Sequence, residues 1–65
     1  MIIDTKRMRE LTSIRLWTQQ DLAKASGVSR ATVSSVLRSG TGAKTTVIKL
    51  ASALEVEPSE LIKTG

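Results

Sequence analysis

The feature that most constrains the fold of this chain is the helical spacing of its apolar residues. The clearest case lies between about residues 44 and 54, where apolar positions fall at i, i+3, i+4 and i+7: Val47, Leu50, Ala51 and Leu54. No segment shows the strict alternation of a half-buried strand. Trp17 is the one aromatic residue, so the core has to be aliphatic and rich in alanine, which suits closely packed helices. The sequence predicts an all-α fold.

A few glycines and one proline divide the chain into five short helical segments. The predicted helices run from about Asp4 or Thr5 to Arg15, from Thr18 to Gly27, from Ser29 to about Arg38, from about Lys44 to Leu54, and from Ser59 to Lys63. Thr18 and Ser29 are predicted N-caps, and either Thr41 or Thr45 caps the fourth helix. Trp17 is expected to pack against Leu22 as a hydrophobic staple and so to fix the angle between helices. Residues 1–65 form one domain, with an ordered core of about 5–63.

The composition removes several classes of function. The chain contains no cysteine and no histidine, so it lacks thiolate metal ligands, disulfides and the usual general base. No catalytic set stands out, and three glutamates around Pro58 are best explained as a solvated acidic cap. We expect no enzymatic activity, no cofactor and no metal. No run has the length of a membrane span, so we expect a cytoplasmic protein without membrane contact.

Charge is distributed unevenly along the chain. Residues 1–49 hold nine lysines and arginines against three acids, whereas residues 50–65 hold one lysine against three glutamates. Net charge is therefore +6 in the first part and −2 in the second. A basic body with an acidic tail indicates a polyanionic partner for the first two-thirds of the chain.

The third helix carries an outward face of small and basic side chains. On a helical wheel Val33, Val36 and Leu37 form the buried stripe, and the opposite arc holds Arg30, Ala31, Ser34, Ser35 and Arg38. A merely solvated face would favour glutamate, lysine and glutamine, which form helices better than serine does. Small side chains allow close approach to another surface, and the major groove of B-DNA admits one such helix.

The stretch RLWTQQDLAKASGVSRATVSSVLRSG, followed by KTTVIKLASALEVEPSEL, resembles the Cro/CI-type helix-turn-helix domains, also called lambda-repressor-like or xenobiotic-response-element domains. The resemblance covers roughly residues 6–62. It is carried by the TQxxLA start of the second helix, Gly-Val-Ser at the turn, and the KLAxAL helix with its ending. It implies a five-helix bundle that binds operator DNA, usually as a two-fold dimer.

The resemblance also implies which residues contact DNA. Base-reading positions map onto Arg30, Ala31, Ser34 and Ser35, with Thr32 on their flank. Gln19 corresponds to a glutamine that contacts phosphate and braces the reading helix. The implied phosphate contacts are Thr18, Gln19, Ser29, Arg38, and Lys44 or Thr45.

The chain departs from the family pattern at four positions. Thr12 and Leu37 stand where the family often pairs an arginine with a glutamate, and we expect an apolar contact to replace that pair. Leu16 stands where a glycine commonly ends the first helix, and Ile14 where a charged residue is usual. These two apolar residues either improve core packing or contact a partner.

The leading hypothesis is a sequence-specific double-stranded DNA-binding transcriptional regulator, a repressor that binds a palindromic operator as a homodimer on the nucleoid. The alternative is a protein-interaction module with the same fold, such as an antitoxin, antirepressor or adaptor, that uses the Ile14 and Leu16 surface or the fifth helix. An RNA binder is less favoured, because Trp17 is the one aromatic platform for unstacked bases. Whether the chain is a whole regulator or a fragment of a longer one stays open.

Overall fold

The computed structural model of the chain describes residues 1–63 as four α-helices and a short 3-10 helix. In chain order these are α1 (Thr5–Ile14), α2 (Gln19–Ser26), α3 (Arg30–Ser39), α4 (Lys44–Ala53) and the 3-10 helix (Pro58–Leu61). Within the described residues, extended pairing is limited to two isolated bridges near the amino terminus. The all-α prediction is confirmed. No helix of this part of the chain is long and apolar enough to cross a bilayer.

Side chains cap the helices where the sequence predicts. The hydroxyl of Thr18 accepts the backbone N–H of Asp21, and the Asp21 carboxylate accepts the N–H of Thr18 in return, which completes a capping box at the start of α2. Ser29 accepts the N–H of Thr32 at the start of α3. Both helices end at glycines with left-handed backbone, Gly27 (φ 74°) and Gly40 (φ 73°).

Two helix boundaries differ from the prediction. The N-cap of α4 is Ala43, which has no capping side chain, so neither Thr41 nor Thr45 caps this helix, and Thr45 lies inside it. The predicted fifth helix, Ser59 to Lys63, is a 3-10 turn that starts at Pro58, the residue type preferred in a first turn. Because two candidate caps lie close together in the sequence, local signals do not determine where α4 begins, and tertiary packing decides its first residue.

One aliphatic core joins all the elements. Its fully buried side chains come from each helix and from the amino-terminal segment: Ile3, Met8, Leu22, Ala23, Val33, Val36, Val47, Leu50, Ala51, Leu54 and Leu61. Trp17 is half-buried and packs against this core, to which its predicted staple partner Leu22 belongs. Within the described residues no polar or charged residue is buried. The core is therefore of the aliphatic, alanine-containing kind that the composition predicts.

The amino-terminal segment, which the helical pattern does not cover, holds the loop after α3 in place. The N–H of Ile3 donates to the carbonyl of Gly40 at 2.8 Å, and the N–H of Gly42 donates to the carbonyl of Met1 at 3.1 Å. A Cβ on Gly42 would lie 2.9 Å from the Cδ1 atom of Ile3, so a larger residue there would displace the end of this side chain. The loop that leads from α3 into α4 is thus fixed by residues distant in sequence.

Leu16 ends α1 in a conformation that normally belongs to glycine. Its φ is 58°, and the N–H groups of Leu16 and Trp17 donate to the carbonyls of Ser13 and Thr12 in a Schellman arrangement. The Leu16 side chain is 90% exposed and that of Ile14 75% exposed. Of the two alternatives for this pair, better core packing is therefore wrong.

Replacing Leu16 by glycine is expected to raise the free energy of unfolding by about 0.5–1 kcal/mol. Glycine avoids the Cβ clash of left-handed backbone, about 1–2 kcal/mol, while its more flexible unfolded chain returns about 0.4–1 kcal/mol. Leu16→Ala is the matched control, because it removes the same exposed atoms but keeps Cβ. Denaturant unfolding curves should show a gain for Leu16→Gly alone. An equal gain in both variants would show that backbone strain is not the cause.

Candidate nucleic-acid interface

Helices α2 and α3 form a helix-turn-helix. Gly27 reverses the chain after α2 with its left-handed backbone, and Ser29 starts α3 two residues later. Leu22 of α2 and Val33 of α3 are both fully buried in the common core, so the two helices share one packing surface. This shared surface sets the direction in which the opposite face of α3 points.

The outer face of α3 lies open to solvent. Arg30, Ala31, Ser35 and Arg38 are exposed, whereas Val33 and Val36 are buried, as the helical wheel predicts. Arg30 is the first helical residue and Arg38 lies in the last turn. The helix carries no acid, so its exposed face combines small side chains with two positive charges.

Ser34 differs from the other outward positions of α3. It is half-buried, and its hydroxyl donates to the Oε1 atom of Gln19 at 3.1 Å. The expectation that Ser34 projects freely outward is therefore wrong, because the start of α2 lies beside it. The bond joins Gln19 to the third helix, which is the bracing contact that the family resemblance implies.

The hydroxyl groups at the helix starts have partners within the domain. Thr18 and Ser29 serve as N-caps, and the Ser29 hydroxyl also lies 2.8 Å from that of the half-buried Thr32. The Thr18 hydroxyl accepts a backbone N–H and keeps its own proton for donation. These residues are therefore rigidly placed at the amino ends of α2 and α3, where backbone N–H groups favour an anion.

Lys44 and Thr45 open α4 and are both exposed. Their position depends on the preceding loop, which the amino-terminal segment holds through Gly40 and Gly42. Sequence patterns miss this contribution, since residues 1–4 form no helix and carry no recognisable motif. The one sequence feature that could have indicated packing of this segment is the pair of adjacent isoleucines, Ile2 and Ile3.

The ion pairs within residues 1–63 join arginines of α1 and the turn after it to acids of α1 and of the carboxyl-terminal part of the chain. Arg7 contacts Glu60 at 3.6 Å and Glu10 at 3.9 Å, and Arg15 contacts Glu55 at 3.8 Å. The other lysines and arginines within residues 1–63 make no ion pair. The acidic end of the chain therefore neutralises two arginines of α1 and its following turn, and the positive charge of α3 and the start of α4 stays uncompensated.

Asp21 is the one acid within α2 or α3. The hydrogen bond from the backbone N–H of Thr18, followed by a Thr18 side-chain contribution and the charge of Lys24, holds the pKa of this carboxyl below its ordinary value. Asp21 is therefore ionised at neutral pH and is engaged in the capping box. Its negative charge also interacts favourably with the positive, amino-terminal end of the α2 dipole.

The fold and the exposed face of α3 define a helix-turn-helix DNA-binding domain. Residues 6–61 match the family described as helix-turn-helix, which is most of the chain. The chain belongs to the Cro/CI-type helix-turn-helix family, whose members are DNA-binding regulators rather than enzymes. Comparison with curated proteins and with solved structures finds no match.

Proposed function

We propose that this DNA-binding regulator is a repressor that recognises a specific palindromic operator as a homodimer, with α3 in the major groove. The observation that carries the proposal is the exposed, acid-free face of α3 between Arg30 and Arg38. Such a face combines close approach with donors for phosphates and guanines. The protein then acts in the cytoplasm, on the nucleoid.

The base-reading residues are Arg30, Ala31, Thr32 and Ser35, and Ser34 serves at their edge. Arginine at the amino end of the helix bonds the paired acceptors of guanine, and alanine or the threonine methyl group contacts thymine. Because the Ser34 hydroxyl already donates to Gln19, it contributes to DNA binding chiefly by orienting that amide. Ser35 is exposed, and its hydroxyl group faces the major groove when α3 is bound there.

The phosphate contacts frame this reading face. They comprise residues at the amino ends of three helices and one in the last turn of α3: Thr18, Gln19, Ser29, Arg38, Lys44 and Thr45. Contacts of this kind fix the orientation of a domain on the duplex without reading sequence. One reading helix per chain gives limited specificity. Two copies of the chain, bound to half-sites about 34–36 Å apart, would supply the additional specificity.

Selection of bound sites from a random duplex pool at moderate salt tests this function directly. We expect an enriched motif with two-fold symmetry and half-sites one helical turn apart. A single enriched half-site would contradict the homodimer, and the absence of any enriched motif would contradict specific recognition. Gene expression from a promoter that carries the selected site would then separate repression from activation.

Replacing Arg38 by alanine is expected to weaken binding to all sequences alike. The loss of one phosphate contact should reduce the slope of log K against log salt by about 0.9. Binding is measured by fluorescence anisotropy at several salt concentrations, on the selected site and on an unrelated duplex. A loss confined to one base position would contradict a phosphate role for Arg38.

A second candidate function rests on the exposed side chains of Ile14 and Leu16. Two exposed apolar residues at the end of α1 that do not belong to the core favour a contact with a protein partner, as in an antitoxin, antirepressor or adaptor. Duplex selection distinguishes the two functions. An interaction module should give no motif, and the double variant Ile14→Ser, Leu16→Ser should then release a co-purifying partner while the domain stays folded.

A further inference from the structure

An open cleft of about 220 Å³ lies where α1, α2 and α3 meet. Trp17, Leu22 and Leu37 provide its apolar walls. Leu22 also belongs to the buried core, so the apolar wall of the cleft is continuous with the core. An apolar cavity of about 150 Å³ is large enough to bind benzene, so this cleft has room for one aromatic ring and a short substituent.

The Trp17 ring is held in position before any ligand binds. The guanidinium of Arg15 lies 5.5 Å from the centroid of the ring and donates to the carbonyl of Leu54 at 2.8 Å. The ion pair with Glu55 restrains Arg15 further. A fixed aromatic wall favours an aromatic ligand, because ring pairs gain stability beyond the area that they bury.

The polar rim of the cleft favours an anion. Arg9 lines the cleft, is exposed, and makes no ion pair within residues 1–63. Gln19 also lines it, and since its Oε1 atom accepts the Ser34 hydroxyl, its amide N–H groups are left to donate. Thr12 also lines the cleft, but its hydroxyl donates to the backbone carbonyl of Met8 and is therefore not available as a donor to a ligand. No acid lines the cleft, so no negative charge opposes a carboxylate.

We propose that the cleft between α1, α2 and α3 is a binding site for a small single-ring carboxylate. The ring of the ligand packs against Trp17 and Leu37, and its carboxylate accepts hydrogen bonds from Arg9 and Gln19. An arginine fork is suited to the two oxygens of a carboxylate.

Gln19 connects this site to the nucleic-acid interface, a step that rests on the proposed function. A ligand carboxylate and a DNA phosphate would both accept from the amide nitrogen of Gln19, and two negative charges held so close together repel each other. A bound ligand therefore lowers affinity for DNA, and bound DNA lowers affinity for the ligand by the same factor. The cleft would thus serve as an effector site for the regulator.

Titration with phenylacetate, in the absence of DNA, tests the site itself. Trp17 is the single tryptophan, so its fluorescence reports on the cleft directly. We expect saturation with a dissociation constant at or below about 1 mM, as suits a ligand of this size. Phenylacetamide, which has the same shape without the charge, should bind about tenfold more weakly. No saturation up to about 10 mM, or equal affinity for both probes, would overturn the proposal.

Variants of α1 locate the binding. Arg9→Gln should lower affinity for phenylacetate about tenfold and leave phenylacetamide unchanged. Lys6→Gln is the matched control, since Lys6 is an exposed cation of the same helix that does not line the cleft. Ser13→Leu should fill the cleft and weaken both probes, with circular dichroism confirming the fold. Equal losses in Arg9→Gln and Lys6→Gln would show attraction by net charge and overturn the site.

The effect on DNA is measured separately. Saturating phenylacetate should weaken binding of a duplex by the wild-type protein, and Arg9→Gln should resist this effect at the same concentration. If phenylacetate binds and duplex affinity does not change, the coupling through Gln19 is wrong. A protein that binds phenylacetate but no duplex would instead contradict the proposed function and leave the ligand site standing.

Discussion

Replacing Leu50 by alanine is expected to lower the free energy of unfolding by about 2–5 kcal/mol. Leu50 is completely buried in α4 and belongs to the one core that joins all helices. A domain of this length has a total stability of about 3–10 kcal/mol, at roughly 0.05–0.15 kcal/mol per residue. The substitution should therefore remove a large part of the total stability and lower the melting temperature by well over 5 °C, at about 4–8 °C per kcal/mol. Thermal and denaturant unfolding followed by circular dichroism measures the loss.

The matched control is Leu16→Ala, the same chemical change at a side chain that is 90% exposed. It should change the free energy of unfolding by no more than about 0.5 kcal/mol. DNA binding by Leu50→Ala should fall in proportion to the unfolded fraction, because Leu50 lies in the core and not on the face of α3. Equal effects of the two substitutions would show that burial in α4 does not support the fold.

Replacing Arg30 by alanine is expected to cost about 1–3 kcal/mol of binding free energy on the preferred site, a loss of roughly 5- to 150-fold. Arg30 is exposed at the first position of α3, where an arginine reaches the paired acceptors of guanine. Preference at one base pair should relax in the same variant. Competition binding against a set of single-base variants of the selected site measures both effects.

Arg38→Ala provides the comparison for Arg30→Ala, because both remove an exposed arginine from the same helix. Arg30→Ala should affect the selected site more than an unrelated duplex, whereas Arg38→Ala should affect both alike. If Arg30→Ala weakened the two duplexes equally, Arg30 would be a phosphate contact. Base recognition would then have to come from Ala31, Thr32 and Ser35.

Local sequence patterns predict most of the secondary structure. Thr18 with Asp21, and Ser29 before Arg30, are strong helix starts, and Gly27 and Gly40 mark the ends of α2 and α3. These signals act within three or four residues, so they need no tertiary context. The start of α4 lacks such a signal, and its true N-cap, Ala43, has no capping group. There the local pattern predicts the helix but not its first residue.

The residues of α3 that are exposed can be predicted from the sequence, whereas the contacts that α3 makes with other helices cannot. Periodicity separates the buried Val33 and Val36 from the exposed Arg30 and Arg38, because both sets lie on one helix. The partial burial of Ser34 depends on another element, the start of α2 with Gln19, which a wheel drawn for α3 alone does not include. The cleft beside Trp17 is likewise a space between three helices, and no single segment encodes it.

The sequence by itself determined the helices, the aliphatic core and the acid-free face of α3. Each of these follows from spacing along one segment, where the energies of capping and burial are local. Only the tertiary structure decided that Ile3 enters the core, that Leu16 stands exposed on left-handed backbone, and that Gln19 bonds Ser34. Those outcomes depend on how separate segments pack together, and contacts between distant residues leave no periodic trace in the chain.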